Sequence, residues 1–357
     1  MIAPATIDFD DAEGLLAADR GGLLRGASMA GAQVRAIAAA LEEGALETVA
    51  GDPPRTLIWL AGRGNAETAG SLLAAALGGT AAAPIVVCAD APPWIGALDV
   101  LVVAGDDPGD PALVAAAATA VRRGARVVVV APYDGPLRDA TAGRAAVLEP
   151  RLWVPDEFGL PRYLAAGLAV LHVVDQGQRT DLFALADELD AEAMRNSASR
   201  ELFTNPAKSL ADRMSGRAVV LAGDSAATLA LARHGAATML RIGHHAVAAV
   251  GLADAIVAIR TGLGGQSDAD REAALFHDDE IDGPVPERVR TIALTLDTER
   301  AVVAARVAGL DDVDIVGAED VPDVGESPVQ SGRPEQQLAM LAVRLEMAAT
   351  YLRLVRG

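Results

Sequence analysis

Two glycine-bearing turns in this chain have the composition to hold a small ligand. The first, Ala61-Gly62-Arg63-Gly64-Asn65-Ala66-Glu67, lies between a short apolar run and an alanine-rich helical stretch. Unpaired backbone N–H groups and the positive end of the helix dipole favour an anion in such a turn. Gly62, Arg63, Gly64 and Asn65 are therefore candidate substrate-binding residues. A dinucleotide fingerprint would need glycine or alanine three positions after Gly64, and Glu67 stands there, where its carboxylate would face a pyrophosphate. No Walker lysine follows. No nicotinamide or other cofactor is expected.

The second turn, Ala104-Gly105-Asp106-Asp107-Pro108-Gly109-Asp110-Pro111, adds Gly105, Asp106 and Asp107 as candidate ligand contacts. Ligands of open α/β sheets bind in crevices at the carboxyl ends of the strands, so the two turns share one crevice if their strands are neighbours. Its acids oppose a phosphate dianion, because like charges about 4 Å apart repel by about 4 kcal/mol at an effective dielectric near 20. One aspartate can instead cap the helix that opens at Pro111.

The remaining chemistry-bearing residues are sparse. Arg233, His234, Arg241, His244 and His245 form a basic stretch with no carboxylate, and His277 stands beside Asp278, Asp279 and Glu280. Imidazole can shuttle protons near neutral pH. Ten residues separate His234 from His244, which gives no i, i+4 pair for zinc, and no metal site is expected. Lys208 is the one lysine of the chain and Cys88 the one cysteine, which excludes an internal disulfide framework.

Short apolar runs at 56–60, 85–88, 100–103 and 126–130 alternate with helical stretches at 67–77 and 111–123. Strands apolar on both faces and separated by helices predict parallel sheets covered on each side. A proline- and charge-rich stretch over 132–161 and a helix over 163–174 close this half. A charged helical segment over 181–214 opens the next, with strands expected at 218–221, 254–260, 289–296 and 313–316 and helices at 298–307 and 334–354. Leu60-Ala61-Gly62 aligns with Leu221-Ala222-Gly223, each ending a strand before an alanine-rich helix, which points to internal duplication. The expected organisation is an N-terminal helical segment over 1–50, a first α/β domain over 51–175 and a second over 181–357.

The chain has 357 residues, 51% of them apolar, with 49 acidic against 30 basic side chains and a formal net charge of −19. That balance argues against nucleic acid, which demands a basic surface. No stretch reads as a membrane span, and the acidic N-terminus lacks the basic start of a secretory signal, so a cytoplasmic protein is expected.

Phe203-Thr204-Asn205-Pro206-Ala207-Lys208-Ser209-Leu210-Ala211 and Gly216-Arg217-Ala218-Val219-Val220-Leu221-Ala222-Gly223 resemble the N-P-A-K-x-L-A and G-R-x-P-V-I-Y-G segments of the bifunctional phosphoglucose/phosphomannose isomerases. Leu160-Pro161-Arg162 is similar to their Q-P-R element. The chain thus resembles the two-domain sugar isomerase (SIS) family from about Leu15 to its end. The resemblance implies two SIS-type α/β domains, a homodimer, a hexose 6-phosphate ligand and aldose-ketose exchange through an enediol. It also implies that Arg162 stabilises the enediol, that His277 opens the sugar ring, and that Glu280 is a third catalytic candidate. Two features depart from the family. Its S-Y-S-G-N-T phosphate loop is replaced by the hydroxyl-free Ala104–Asp110 turn, and no glutamate falls between Ala232 and Val250, where the family's proton carrier belongs. Isomerisation of glucose or mannose 6-phosphate to the fructose ester and non-catalytic binding of a sugar phosphate or a partner protein therefore both remain open.

Overall fold

The computed structural model describes residues 7–175, 177–263, 289–320 and 332–356. The chain forms two compact units: the first is Arg25–Met194, the second Met1–Leu24 together with Arg195–Gly357. Three helices precede the first sheet: α1 (Ala12–Ala18), α2 (Leu23–Ser28) and α3 (Ala30–Glu42).

The first unit is built on five parallel strands: β1 (Leu57–Leu60), β2 (Ile85–Cys88), β3 (Val100–Ala104), β4 (Arg126–Val130) and β5 (Ala145–Val147), in the order β2-β1-β3-β4-β5. Its helices are α3, α4 (Gly64–Leu77), α5 (Pro111–Arg122), α6 (Gly135–Thr141), α7 (Leu160–Val174) and most of α8 (Leu182–Arg195). Alternate strand residues point to opposite faces. Ile58, Leu60, Leu101, Val103, Val127 and Val129 pack with the alanines of α5 and with Leu137 of α6. Trp59 points the other way, where Gly70 of α4 and Gly167 of α7 make room for its ring. Both faces of the central strands β1, β3 and β4 are buried, which is why these read as nearly unbroken apolar runs.

The second unit repeats the pattern with four parallel strands: β6 (Ala218–Gly223), β7 (Val247–Gly251), β8 (Val289–Leu294) and β9 (Val313–Val316), ordered β7-β6-β8-β9. With β6 in the place of β1, this is the order of the first four strands of the first sheet, as duplication of one α/β unit would give. α11 (Leu252–Arg260) and α12 (Asp297–Val307) pack on one face through Leu252, Ile256, Val303 and Val307. α10 (Ala226–Arg241) approaches β6 at Gly235, where an added Cβ would lie 2.7 Å from Leu221 and 3.2 Å from Leu345 of α13 (Pro334–Val355). α9 (Pro206–Met214) and α10 both pack against α13, whose residues are almost all buried.

The structure corrects one predicted element. Residues 254–260 are helical, not extended: Leu252, Ala255, Ile256 and Ile259 supply the buried positions at i, i+3, i+4 and i+7, a helical spacing that outweighs the β-branched composition. Two strands escaped prediction, β5 and β7, each at an edge of its sheet and only partly buried.

Two buried polar residues face each other in the second unit. Glu346 Oε1 on α13 lies 3.3 Å from His234 Nε2 on α10, with both side chains 1% exposed. Burial pushes the Glu346 carboxyl up from its ordinary value, and the histidine offsets this only in part. A raised folded-state value means that this group's contribution to stability is fully present below the unfolded value and is lost as pH rises through the folded one. Glu346→Gln is therefore expected to raise the melting temperature above wild type at pH 8, with the gap closing towards pH 4. Parallel thermal scans across that range read it, and a wild-type-like melting temperature at pH 8 would contradict it.

Candidate functional site

Arg162 sits in the first turn of α7, after Pro161 has fixed the start of the helix. A cation at a helix N-terminus is on the unfavourable side of the dipole and needs an acid nearby. Asp106, just past the carboxyl end of β3, supplies it. Arg162 Nη2 donates to Asp106 Oδ1 at 2.7 Å and to Tyr163 Oη at 2.8 Å, and Tyr163 Oη donates in turn to Asp106 Oδ1. The guanidinium also lies over the Tyr163 ring, 4.4 Å from its centroid. Burial pushes the Tyr163 phenol well up from its ordinary value, which favours the protonated, donating form. The Nη1 atom of Arg162 is buried and has no hydrogen-bond partner among the described residues.

Arg162 and Asp106 line a cleft of about 320 Å³, at the lower end of the size range for small-ligand sites. Glu149, Arg151, Trp153 and Asp156 line it too. Asp106 and Glu149 follow β3 and β5, so the cleft opens at the carboxyl ends of the strands, as parallel α/β sheets predict. Asp156 heads a short 3₁₀ turn, Asp156–Phe158. That turn is fixed from two sides: Asn65 Nδ2 donates to the carbonyls of Asp156 and Glu157 at 2.7 and 3.0 Å, and Gln33 Nε2 donates to that of Phe158 at 2.9 Å. Partial burial, then the charges of Asp106 and Glu157, raise the Asp156 carboxyl above its ordinary value, and Arg162 pulls it back. Arg151 is held by Glu43 through paired contacts of 2.9 and 2.6 Å. Trp153 is 83% exposed.

The two glycine turns are used differently from this cleft. Gly64 has a φ of +66° and Gly62 is open to solvent, so the β1–α4 turn is accessible, yet neither residue lines the cleft. Arg63 reaches Asp110 at 3.6 Å. Asn65 spends its amide nitrogen inside the fold, on the 156–158 turn. At Gly105 an added Cβ would lie 2.6 Å from Leu113, so glycine there permits close packing of the turn on α5. Asp107 accepts from the Gly109 N–H at 2.8 Å, and Asp110 caps α5 by accepting from Ala112 N–H at 2.9 Å. Of the predicted site residues that are described, the cleft brings together Arg162 and Asp106. His277 and Glu280 lie outside the described residues. Asp156, Glu149 and Trp153 were missed because the 132–161 stretch reads as a loop; the signal available was Glu149, two residues past the end of the unnoticed strand β5.

The basic stretch of the second unit is not a continuous helix. His244 follows the end of α10 with a φ of +48°, and its ring meets Arg353; His245 Nδ1 lies 3.0 Å from Arg356 Nη2. Lys208 is fully buried and donates from Nζ to the carbonyls of Ala198 and Arg200 at 2.9 and 2.7 Å, while Asn205 caps α9 through Lys208 N–H. No cluster of three or more metal-ligating side chains occurs among the described residues, and no described helix is long and apolar enough to cross a membrane.

Comparison with solved structures decides the fold. The tagatose-6-phosphate ketose/aldose isomerase of Escherichia coli superposes with a TM-score of 0.62 at 15% identity, over 94% of this chain and 91% of that one. A glucose-6-phosphate isomerase-like protein of Thermus thermophilus gives 0.55 at 18%, over 98% and 96%. The chain has the double-SIS fold. The C-terminal domain of glucosamine-fructose-6-phosphate aminotransferase from Francisella tularensis, at 0.59 and 10% over 94% and 96%, shares it as well. No family model and no curated protein matches the sequence. The two parallel sheets with helices on both faces are those of the SIS fold, as the motif resemblance implied. At these identities the residues that do the relatives' chemistry do not transfer, and the cleft must be read from its own side chains.

Proposed function

We propose that this chain is a phosphosugar isomerase-like protein whose first-unit cleft binds a sugar. The observation that carries this reading is the unpartnered, buried Nη1 of Arg162 at a cleft that also presents an exposed indole and three carboxylates. A spare charged donor suits a carbonyl or hydroxyl oxygen, carboxylates accept from hydroxyls, and an indole face covers the apolar side of a sugar ring.

A second reading is aldose-ketose isomerisation of a hexose 6-phosphate, glucose or mannose to fructose, through an enediol. Asp156 favours it, because a carboxylate in the same cleft as Arg162 can move the proton while the guanidinium holds the developing oxyanion. The test is incubation of glucose 6-phosphate and mannose 6-phosphate with the protein in deuterated water, with proton NMR following the hydrogen on the carbon next to the carbonyl. Exchange that falls about 10²- to 10⁴-fold in Asp156→Asn supports the isomerase. Thermal stabilisation by a sugar without exchange supports the binder. Neither stabilisation nor exchange with any sugar would refute both readings.

A further inference from the structure

Asp106 stands where a ligand anion would otherwise meet Arg162. Its Oδ1 takes both the Arg162 Nη2 contact and the Tyr163 hydroxyl, so the two strongest donors of the wall are already satisfied by a carboxylate of the chain. The neighbouring helix end is also closed to an anion, since the α5 N-terminus is capped by Asp110 and the turn before it carries Asp107. The Glu43 carboxylate holds Arg151. Beside that pair the cleft is lined by the side chains of Glu149 and Asp156 and by the exposed Trp153, while the Nη1 of Arg162 is buried behind it with no partner among the described residues.

We propose that Asp106 makes this cleft selective for an uncharged sugar over its phosphate ester, by occupying the cationic position that a phosphate would need. The proposal rests on the reading of the cleft as a sugar site and adds the charge of the ligand. A free sugar needs no counter-charge: its ring oxygen or carbonyl meets Arg162, its hydroxyls donate to Glu149 and Asp156, and its apolar face lies on Trp153. A phosphate ester would bring a dianion against three carboxylates, where the charges of Arg162 and Arg151 are already paired with Asp106 and Glu43.

Isothermal titration of the full chain with glucose, mannose and fructose, and with the 6-phosphate of each, tests this. At least one free sugar is expected to bind, with its 6-phosphate at least about tenfold weaker at low salt and the gap narrowing as salt screens the acids. Asp106→Asn, which keeps an oxygen for Tyr163 and Arg162 but loses the charge, is expected to bring the two affinities within about threefold of each other. Trp153→Ala, at an exposed position, is expected to weaken the free sugar while leaving the melting temperature unchanged. A 6-phosphate that binds wild type as tightly as its parent sugar overturns the selectivity and leaves the sugar site standing. An unchanged ratio in folded Asp106→Asn overturns the role of Asp106. Should that variant not fold, a wild-type ratio that is insensitive to salt does the same. Failure of all six compounds to bind overturns the sugar site itself, and the selectivity with it.

Discussion

Trp59→Ala is expected to destabilise the first unit by about 3–5 kcal/mol, the range for truncating a fully buried aromatic side chain. The indole is 1% exposed on the second strand of the sheet, and its Nε1 donates to the Ala66 carbonyl at 2.8 Å. It fills a slot shaped by two glycines: an added Cβ at Gly70 would lie 2.2 Å from Trp59 Cδ1, and one at Gly167 would lie 3.1 Å from Cζ3. α4 and α7 therefore close directly on the ring, and removing it leaves a cavity that neither helix can fill without shifting. α7 carries Arg162 at its N-terminus, so the loss should reach the cleft. Urea titration by circular dichroism reads the effect as a lower midpoint. The other two tryptophans, Trp94 and Trp153, are exposed, so the variant should also lose the blue-shifted part of the fluorescence. An unchanged midpoint would mean that the slot is not a main contributor to stability. The complementary change, Gly70→Ala, should cost about 1–3 kcal/mol by overpacking the same slot.

Lys208→Met should cost the second unit about 2–5 kcal/mol, by removing two charged donors and leaving the Ala198 and Arg200 carbonyls without them. Methionine keeps most of the aliphatic volume, so the measurement isolates the polar loss. The ammonium also lies 5.5 Å from the centre of the Tyr351 ring, and the Tyr351 hydroxyl donates to the Asn196 carbonyl at 2.6 Å. Lys208 thus joins α9 and α13 to the 196–200 connection. Burial draws its ammonium below the ordinary lysine value against the pull of Asp10 and Asp8. Lys208→Arg should not rescue, because a larger guanidinium does not fit a fully buried space made for a point charge. A methionine variant as stable as wild type would refute this account.

The sequence read β1 to β4, β6, β8 and β9 with small errors at their ends, because each holds a run of bulky or β-branched residues, which burial on both faces makes nearly continuous in β1, β3 and β4. It did not read β5 or β7. Both are partly buried edge strands filled largely by alanines and a glycine, which carry no strand pattern, whereas the other two edge strands, β2 and β9, are rich in isoleucine and valine. α11 was misread because isoleucine and valine suggest extension, while its spacing of buried residues is helical. In the cleft, Arg162 and Asp106 were each singled out, but for separate tasks. Fifty-six positions separate them in the chain, and only the packing of α7 beside the carboxyl end of β3 makes them partners.

The sequence by itself determined the parallel α/β class and the lack of hydroxyls in the turn after β3, because each is set by local residue type and short-range periodicity. Only the tertiary structure decided that Asp106 neutralises Arg162, that Asn65 and Gln33 fix the turn bearing Asp156, and that Trp153 faces the same cleft. Those relations join residues far apart in the chain, and the distances and burial that give them their electrostatic and hydrogen-bonding strength exist only once the sheet and its helices have closed.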